Sequence, residues 1–212
     1  MSFIPIDPTA WERVEYFEYF QSTTLYMTAQ VDITLLYERL KRRGLRLYPA
    51  LVYLAARVIN QNPDFRYGRD ERGRLGQWDV LHPLYTVPRK DRPGLFSMKH
   101  TVYSEHFSTF YEAFVRDYAL AETCGRLVCD TGAPKNVCGV SIVPGLRFTG
   151  FSFGGGPKED FTPFTLYGQF AREDNRLLLP VSGEFSHAVN DGLHITRFFE
   201  QLEATANRLL PE

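Results

Sequence analysis

Residues 177–199 read LLLPVSGEFSHAVNDGLHITRFF and join a strand pattern to a helix pattern. The segment 181–187 alternates as in a β-strand, which puts His187 on the same face as Phe185. An Asp-Gly pair that begins at Asp191 follows and opens an amphipathic segment typical of a helix. A histidine therefore stands where the strand pattern favours an apolar residue, directly before a helix.

His187 has two interpretations. A neutral imidazole carries one donor and one acceptor nitrogen, so at a strand end it can take a proton from a bound hydroxyl or thiol. A core histidine satisfied by backbone groups is the commoner case for an isolated residue. Asp191 is suited to cap the helix, and a cationic partner would let it also fix the loop that sets the rotamer of His187. Arg13, in the otherwise aromatic segment WERVEYFEYF, is the candidate partner.

Length and charge exclude several classes of protein. The chain has 212 residues and no linker-like tract, which predicts one compact domain. With 24 basic and 25 acidic residues the net charge is -1, so we expect no nucleic-acid partner. There is no signal-like start and no apolar run long enough to span a bilayer, so we expect a cytoplasmic protein without membrane contact.

The cysteines and the remaining histidines do not form an obvious metal site. Three cysteines with spacings x4 and x8 fit neither a disulfide framework nor a zinc site, so we expect reduced thiols. We also expect no metal, because the histidines outside the motif have no ligand-like partners; they are His82, His100, His106 and His194. The segment FGGGPKED lacks the dinucleotide and P-loop patterns and is interpreted as a loop between strands.

Periodicity predicts helices that alternate with short strands. The predicted helices span Ala10 to Phe20 with Thr9 as cap, Asp32 to Gly44, a buried segment from Pro49, Glu105 to Glu122, and Gly192 to Leu209. The predicted strands are Leu25 to Val31, DFRYGRD, RLGQWDVL, LYTVPR, LFSMKHTVY, NVCGVSIV, LRFTGFSF, FTPFTLYGQFA and RLLLPVSGEFSH. This order indicates an α/β fold, a two-layer sandwich of a mixed sheet with helices packed on one side.

Taken together, these segments resemble the chloramphenicol acetyltransferase family. The resemblance rests on H-x-x-x-D-G at a strand end after RLLLPVS, and on WERVEYFEYF, LYPALVYL, WDV, LFS, VSIVPG and PFTLYGQF in the family's order and spacing. It covers essentially the whole chain. H-x-x-x-D-G alone also occurs in other coenzyme-A and carrier-protein acyltransferases, so the ensemble of segments is more specific than the motif.

The resemblance implies O-acetylation of chloramphenicol, and hence antibiotic inactivation, by a homotrimer with active sites between subunits. Acetyl-CoA and the acceptor alcohol would enter a channel from opposite ends. His187 would act as general base in a ternary complex, without an acyl-enzyme, with its imidazole oriented partly by its own carbonyl. Asp191 and Arg13 would form a supporting ion pair.

The resemblance also implies roles for residues elsewhere in the chain. Ser141 in VSIVPG would stabilise the oxyanion of the tetrahedral intermediate. Arg46, Tyr48 and Thr165 would bind the coenzyme. The residues implied at the acceptor site are Phe20, Phe96, Phe153 and, again, Thr165. The neighbouring cations Lys41, Arg42 and Arg43 are instead interpreted as a solvated helix end.

Four positions depart from the family pattern. Ser186 replaces the first of two adjacent histidines, but strand alternation turns it away from His187. Gly139 stands where an asparagine is frequent, and Gln169 where a lysine is common. Phe20 replaces a tyrosine of the antibiotic pocket, and the loop after it is short.

These departures leave two alternatives open. The first is the same chemistry on another small alcohol or amine, since a pocket hydroxyl is missing. The second is a trimeric binding protein without catalysis, because similarity of fold alone does not secure activity.

Overall fold

The structure, a computed structural model, describes residues 2–132, 134–153 and 161–210. The α-helices in these ranges are α1 (Val14–Tyr19), α2 (Thr34–Arg42), α3 (Leu47–Gln61), α4 (Phe107–Ala121) and α5 (Gly192–Arg208). The strands are β1 (Phe3–Pro5), β2 (Thr24–Asp32), β3 (Tyr67–Arg69), β4 (Leu75–Trp78), β5 (His82–Pro88), β6 (Phe96–His100), β7 (Val137–Ile142), β8 (Phe164–Tyr167), β9 (Ala171–Glu173) and β10 (Arg176–Ser186). No helix among the described residues is both long and apolar enough to cross a membrane.

The main sheet has the order β2-β10-β8-β7-β5-β6, with β9 paired to the start of β10. Strand β7 runs parallel to both of its neighbours, β5 and β8, whereas the other pairs are antiparallel. Helices α2 to α5 pack on each other and on one face of this sheet. The predicted two-layer sandwich with a mixed sheet is therefore confirmed.

The central strand β10 is buried on both faces. On the helix side, Phe185 packs against Phe65 and Phe198, as the strand pattern requires. On the opposite side, the Ser182 hydroxyl donates a hydrogen bond to the carbonyl of Phe151, in a segment that crosses the sheet. From residue 177 to residue 190, His187 is the sole side chain that is not buried. The chain thus places one partly exposed imidazole directly after β10, within a run of buried residues.

A second, smaller core anchors the chain just after β10. Strands β1, β4 and β3 form a separate three-stranded sheet. Beside it, Tyr67 and Phe161 pack with Ala188 and Val189, which are completely buried. The two residues that follow His187 are therefore fixed by apolar contacts, so the loop that carries the imidazole has little freedom.

The ends of α2 and α3 follow the sequence pattern closely. Ile33, not the predicted Asp32, is the N-cap residue of α2, but Asp32 lies directly before it and accepts hydrogen bonds from the backbone N–H and the hydroxyl of Thr34. Gly44 ends that helical region with a φ of +65°, a conformation that glycine adopts without strain. Helix α3 begins at Leu47, two residues before the predicted start, and is buried along most of its length.

The predicted helix from Ala10 to Phe20 is wrong in its first half. Asp7, not Thr9, caps a short 3-10 turn, and its side chain accepts the backbone N–H of Thr9. Trp11 is then extended, with φ -90° and ψ 119°, and its ring packs on Phe17 and Tyr67 in the smaller core. Because the Trp11 ring packs in the smaller core, the backbone is extended at this residue and α1 begins only at Val14.

The predicted strand LRFTGFSF, residues 146–153, is also wrong, because this segment does not join a sheet. It turns at Gly145, whose φ is +80°, and then crosses the sheet face opposite the helices. Its aromatic side chains stack along that face, Phe151 on Phe153 and Phe153 on Phe164. The loop predicted next, FGGGPKED, spans residues 153–160, and all of it after Phe153 lies outside the described ranges.

The prediction of reduced thiols is wrong for one pair of cysteines. Cys124 and Cys129 form a disulfide that closes the turn after α4, where their Cα atoms lie 5.8 Å apart. The bridged segment returns along the outer edge of β6, because Cys129 N–H donates to the carbonyl of Met98. Cys138 is buried and free, and burial raises the pKa of its thiol to about 12.

We expect reduction of the Cys124–Cys129 disulfide to lower the free energy of unfolding. Opening a covalent loop of this size releases unfolded-state entropy worth about 2 kcal/mol. Urea denaturation of the native chain with and without dithiothreitol measures the difference. The double variant Cys124→Ser/Cys129→Ser is the control and should be insensitive to reductant. Equal midpoints for the native chain in both conditions would contradict the disulfide.

Candidate active site

Three contacts fix His187 at the end of β10. Its backbone N–H donates to the carbonyl of Thr23 at 2.9 Å, which continues the β2–β10 ladder by one residue. Its ring nitrogen Nδ1 lies 3.0 Å from the carbonyl oxygen of Asn190. One face of the imidazole stacks on Phe20, with ring centroids 3.9 Å apart and planes inclined by 22°. Backbone position, ring rotation and one ring face are thus all determined.

The contact with Asn190 also decides which nitrogen of His187 is the base. A carbonyl oxygen only accepts hydrogen bonds, so Nδ1 must carry the proton. In the neutral ring Nε2 then has a free lone pair, and no described residue hydrogen-bonds to it. The family resemblance implied that the carbonyl of His187 itself orients the ring, whereas here the carbonyl three residues later does so.

The predicted pair of Asp191 and Arg13 is formed. Asp191 caps α5 by accepting the backbone N–H of Leu193 at 3.1 Å, and its second oxygen lies 3.3 Å from Nη1 of Arg13. Because the side chains of Arg13 and Asp191 are 21% and 37% exposed, solvent weakens this ion pair and its main effect is geometric. It ties the start of α1, and thereby Phe20, to the start of α5.

The Asp191 carboxylate is also stabilised from its own helix. His194 Nδ1 lies 2.9 Å from Oδ1 of Asp191. Burial acts to raise the pKa of Asp191, but His194, Arg13 and the Leu193 N–H together outweigh it and hold that pKa below its ordinary value. The cap therefore stays ionised, which a helix N-terminus favours.

Ser141 lies on β7, on the sheet face turned away from the helices. Its Oγ is 3.2 Å from the hydroxyl oxygen of Thr86 on the neighbouring strand β5. Beside it, a Cβ on Gly139 would come within 2.5 Å of the Phe164 ring. Glycine at this departure from the family pattern is therefore required by packing.

Within one chain, Ser141 is far from His187. Ser141 is in register with Leu166, and Leu166 with Ser182, so two strand spacings and five further residues separate the two side chains. Strand geometry places their Cα atoms roughly 15–20 Å apart. Two groups that act on one carbonyl must lie within a few ångström of it. A single copy of the chain therefore does not bring the predicted base and oxyanion donor together.

The predicted coenzyme residues lie nearer to Ser141 than to His187. Arg46 is exposed at the N-terminus of α3, with its guanidinium 6.0 Å from the Tyr118 ring centre. Tyr48 packs among aromatic rings and its hydroxyl donates to the carbonyl of Thr86 at 3.0 Å. Burial raises the pKa of Tyr48. Arg46 is thus available to an anionic ligand, whereas the Tyr48 hydroxyl is already engaged.

The other predicted acceptor residues fall on opposite faces of the sheet. Phe96 and Phe153 are about half or more exposed, at 48% and 62%, on the face that carries Ser141. Thr165 is paired in register with Val140 and Gly183 on the helix side and is fully buried. Its hydroxyl has no hydrogen-bond partner among the described residues. A contact between Thr165 and a substrate remains a prediction without a structural contact to support it.

Sequence reasoning missed the residues that act through backbone or neighbouring strands. The carbonyl groups of Thr23 and Asn190, and the Thr86 hydroxyl, contact the candidate base or the candidate oxyanion donor. Thr86 is 55 residues from Ser141, and no sequence signal relates them. Across the described ranges, no group of three or more His, Cys, Asp or Glu side chains is arranged to hold a metal ion.

Sequence comparison matches nearly the full length of this chain to one protein family. The model of the family "Chloramphenicol acetyltransferase" matches residues 1–203. A chloramphenicol acetyltransferase of Clostridium perfringens is 38% identical over 213 residues, 98% of this chain and 96% of that protein. One of Staphylococcus aureus is 35% identical over 211 residues, 98% and 97% of the two chains.

Comparison with solved structures identifies the class of fold. A dihydrolipoamide acetyltransferase of Azotobacter vinelandii matches with a TM-score of 0.66 at 17% identity, over 91% of this chain and 86% of that one, and shares the fold alone. A chloramphenicol acetyltransferase matches with a TM-score of 0.81 at 25% identity, over 96% and 99%. The fold is thus of the acyltransferase type. With the matches in sequence, the chain belongs to the chloramphenicol acetyltransferase family.

Substitution Asp191→Ala should lower stability and turnover together. Loss of the cap of α5 costs about 1 kcal/mol of unfolding free energy. Loss of the Arg13 contact also releases α1 and the ring that stacks on His187. Urea denaturation and a steady-state acetyl-transfer assay measure the two effects. Asp70→Ala is the control, because that carboxylate also accepts backbone N–H groups and pairs with an arginine, in the turn between β3 and β4. Equal turnover for both variants would reject a supporting role for Asp191.

Proposed function

We propose that residues 1–212 form one acyltransferase domain that transfers the acetyl group of acetyl-CoA to a hydroxyl of chloramphenicol. The observation that carries the proposal is His187. It is a partly exposed imidazole in a buried run, and it holds its proton on Nδ1 and keeps the Nε2 lone pair free. Since the relatives at 31–38% identity are named chloramphenicol acetyltransferases, chloramphenicol is the acceptor to test first.

The chemistry follows from this arrangement. Nε2 of His187 takes the proton of the acceptor hydroxyl while the oxygen attacks the thioester carbonyl of acetyl-CoA. Negative charge then develops on the carbonyl oxygen, and the Ser141 hydroxyl donates to it. Collapse of the tetrahedral intermediate breaks the carbon–sulfur bond, and the imidazolium returns its proton to the departing thiolate. The products are the acetyl ester and free coenzyme A.

The assembly that we propose is a homotrimer with its active sites between subunits. Its support is the separation of His187 from Ser141 in one chain, since the chemistry needs both at one carbonyl. A site between two copies places the base of one subunit opposite the serine of the next. Exposed aromatic side chains on the same sheet face, Phe96 and Phe153, are the kind of surface that an interface covers.

We propose that Arg46 binds a phosphate group of the co-substrate. It combines an exposed guanidinium with the N-terminus of the fifteen-residue helix α3, and both favour anions. Gln169, where the family resemblance suggested a lysine, is exposed and supplies no charge. Acetyl-CoA is a cytoplasmic metabolite, so we place the protein in the cytoplasm.

The direct test of the function is release of free coenzyme A from acetyl-CoA in the presence of chloramphenicol. His187→Ala should lower kcat by roughly 10²–10⁴-fold, because a general base is lost. His106→Ala is the matched control, an exposed histidine at the start of α4. Phe20 carries no hydroxyl, so a panel of other alcohols and amines belongs in the same assay. Fast turnover of another acceptor with none of chloramphenicol would transfer the function to that acceptor.

Mixed trimers test the shared active site. The variants His187→Ala and Ser141→Ala are each expected to be nearly inactive, but a refolded equimolar mixture forms interfaces with one intact His187 and one intact Ser141. Random assembly into closed trimers restores about one quarter of the native sites. Activity that stays at the level of the separate variants would place both residues in one subunit's site or exclude one from catalysis.

A further inference from the structure

The side chain of Asn190 has no role in the function described so far, yet the residue is completely buried beside the candidate base. Its side-chain Nδ2 donates to the carbonyl of Asp64 at 2.8 Å and to that of Val189 at 3.2 Å. Its own carbonyl accepts the Nδ1 proton of His187 at 3.0 Å. One residue thus joins the imidazole to a distant part of the chain, 126 residues earlier in sequence.

The anchor at Asp64 is rigid. Asp64 belongs to the 3-10 helix Pro63–Phe65, and the Phe65 ring is fully buried between Phe185 and Phe198. The Asp64 carboxylate also lies 3.3 Å from Nη1 of Arg197 on α5. The carbonyl that receives the Asn190 amide is therefore fixed both to the core and to the terminal helix.

The turn that carries the Asn190 carbonyl is held by backbone hydrogen bonds of its own. The residues between His187 and Asn190 form a turn, in which the N–H groups of Val189 and Asn190 both donate to the carbonyl of Ser186. These bonds fix the start of the turn. The peptide unit after Asn190 is held by its own N–H, that of Asp191, which donates to Nδ1 of His194 at 3.2 Å. The hydrogen bond from the Asn190 side-chain amide to the Asp64 carbonyl is the second constraint on this residue, and it ties the residue whose carbonyl faces His187 to the core.

We infer that Asn190 is a positioning residue that selects the tautomer of His187. By anchoring its amide on Asp64, it directs its carbonyl at Nδ1, holds the proton there and leaves Nε2 unprotonated. An imidazole without such a partner exchanges between two tautomers, and only one has its lone pair on Nε2. The tautomer assignment stands on the geometry alone, whereas its effect on turnover rests on the proposed function.

The experiment is a long-range ¹H–¹⁵N correlation spectrum of the ring nitrogens in the native chain and in Asn190→Ala, at a pH where His187 is neutral. Native protein should show the Nδ1-protonated form of His187 alone. In Asn190→Ala we expect a mixture of both tautomers. We also expect kcat to fall roughly ten- to hundredfold through misplacement of the base, with both KM values within about twofold.

Asn136→Ala is the matched control. Asn136 is also buried, and its amide donates to a backbone carbonyl, that of Val80, at 2.8 Å. It should lose comparable stability and leave the His187 tautomer unchanged. If Asn190→Ala does not fold, Asn190→Ser keeps a small polar group and gives the same readout. The inference is overturned if the Asn190 variants retain the pure Nδ1-protonated form. Absence of acetyl transfer by the native chain would instead reject the proposed function, and the spectra would still decide the tautomer.

Discussion

The hydrogen bond from Nδ1 of His187 to the carbonyl of Asn190 is the contact on which the proposed chemistry depends. It exists because β10 is buried on both faces and the turn after it is packed into the smaller core, so that neither end of the histidine backbone is free to move. Phe20 then closes one face of the ring. What remains open is one ring nitrogen with a lone pair, which is what a general base requires.

The two faces of the main sheet differ in how far they are covered. The helix side holds most of the apolar core, including Val140 and Phe185, and is closed. The other side carries Ser141 with Thr86 and a set of exposed aromatic rings, among them Phe153. A monomer leaves that apolar surface in water and keeps Ser141, the proposed oxyanion donor, far from His187. The proposed trimer would cover this surface and bring the two residues to one site, so in the proposed function assembly and catalysis have the same structural origin.

The sequence predicted the elements whose signals are local. Alternation followed by Asp191 identified β10 and α5, and a helix apolar nearly all round identified α3. Prediction failed where tertiary packing overrides local pattern: Trp11 is drawn into the smaller core, and residues 146–153 cross a sheet instead of joining it. The disulfide between Cys124 and Cys129 was missed because the spacing of the two cysteines does not reveal that the chain turns back between them. Within the site, ring and cap residues were found, but backbone carbonyl groups have no residue type by which a sequence reveals them.

The departure from the family pattern at Phe20 affects two contacts differently: the ring contact with His187 and a hydrogen bond to the acceptor. The resemblance associates a tyrosine with this position, and phenylalanine keeps the aromatic ring that stacks on His187 at 3.9 Å while it removes the hydroxyl. The ring contact concerns the base and is retained, whereas the lost hydroxyl concerns only a ligand that would hydrogen-bond to it. Such a bond is worth about 0.5–1.5 kcal/mol. In the proposed function, this substitution therefore changes acceptor affinity by several-fold and keeps the ring contact with His187.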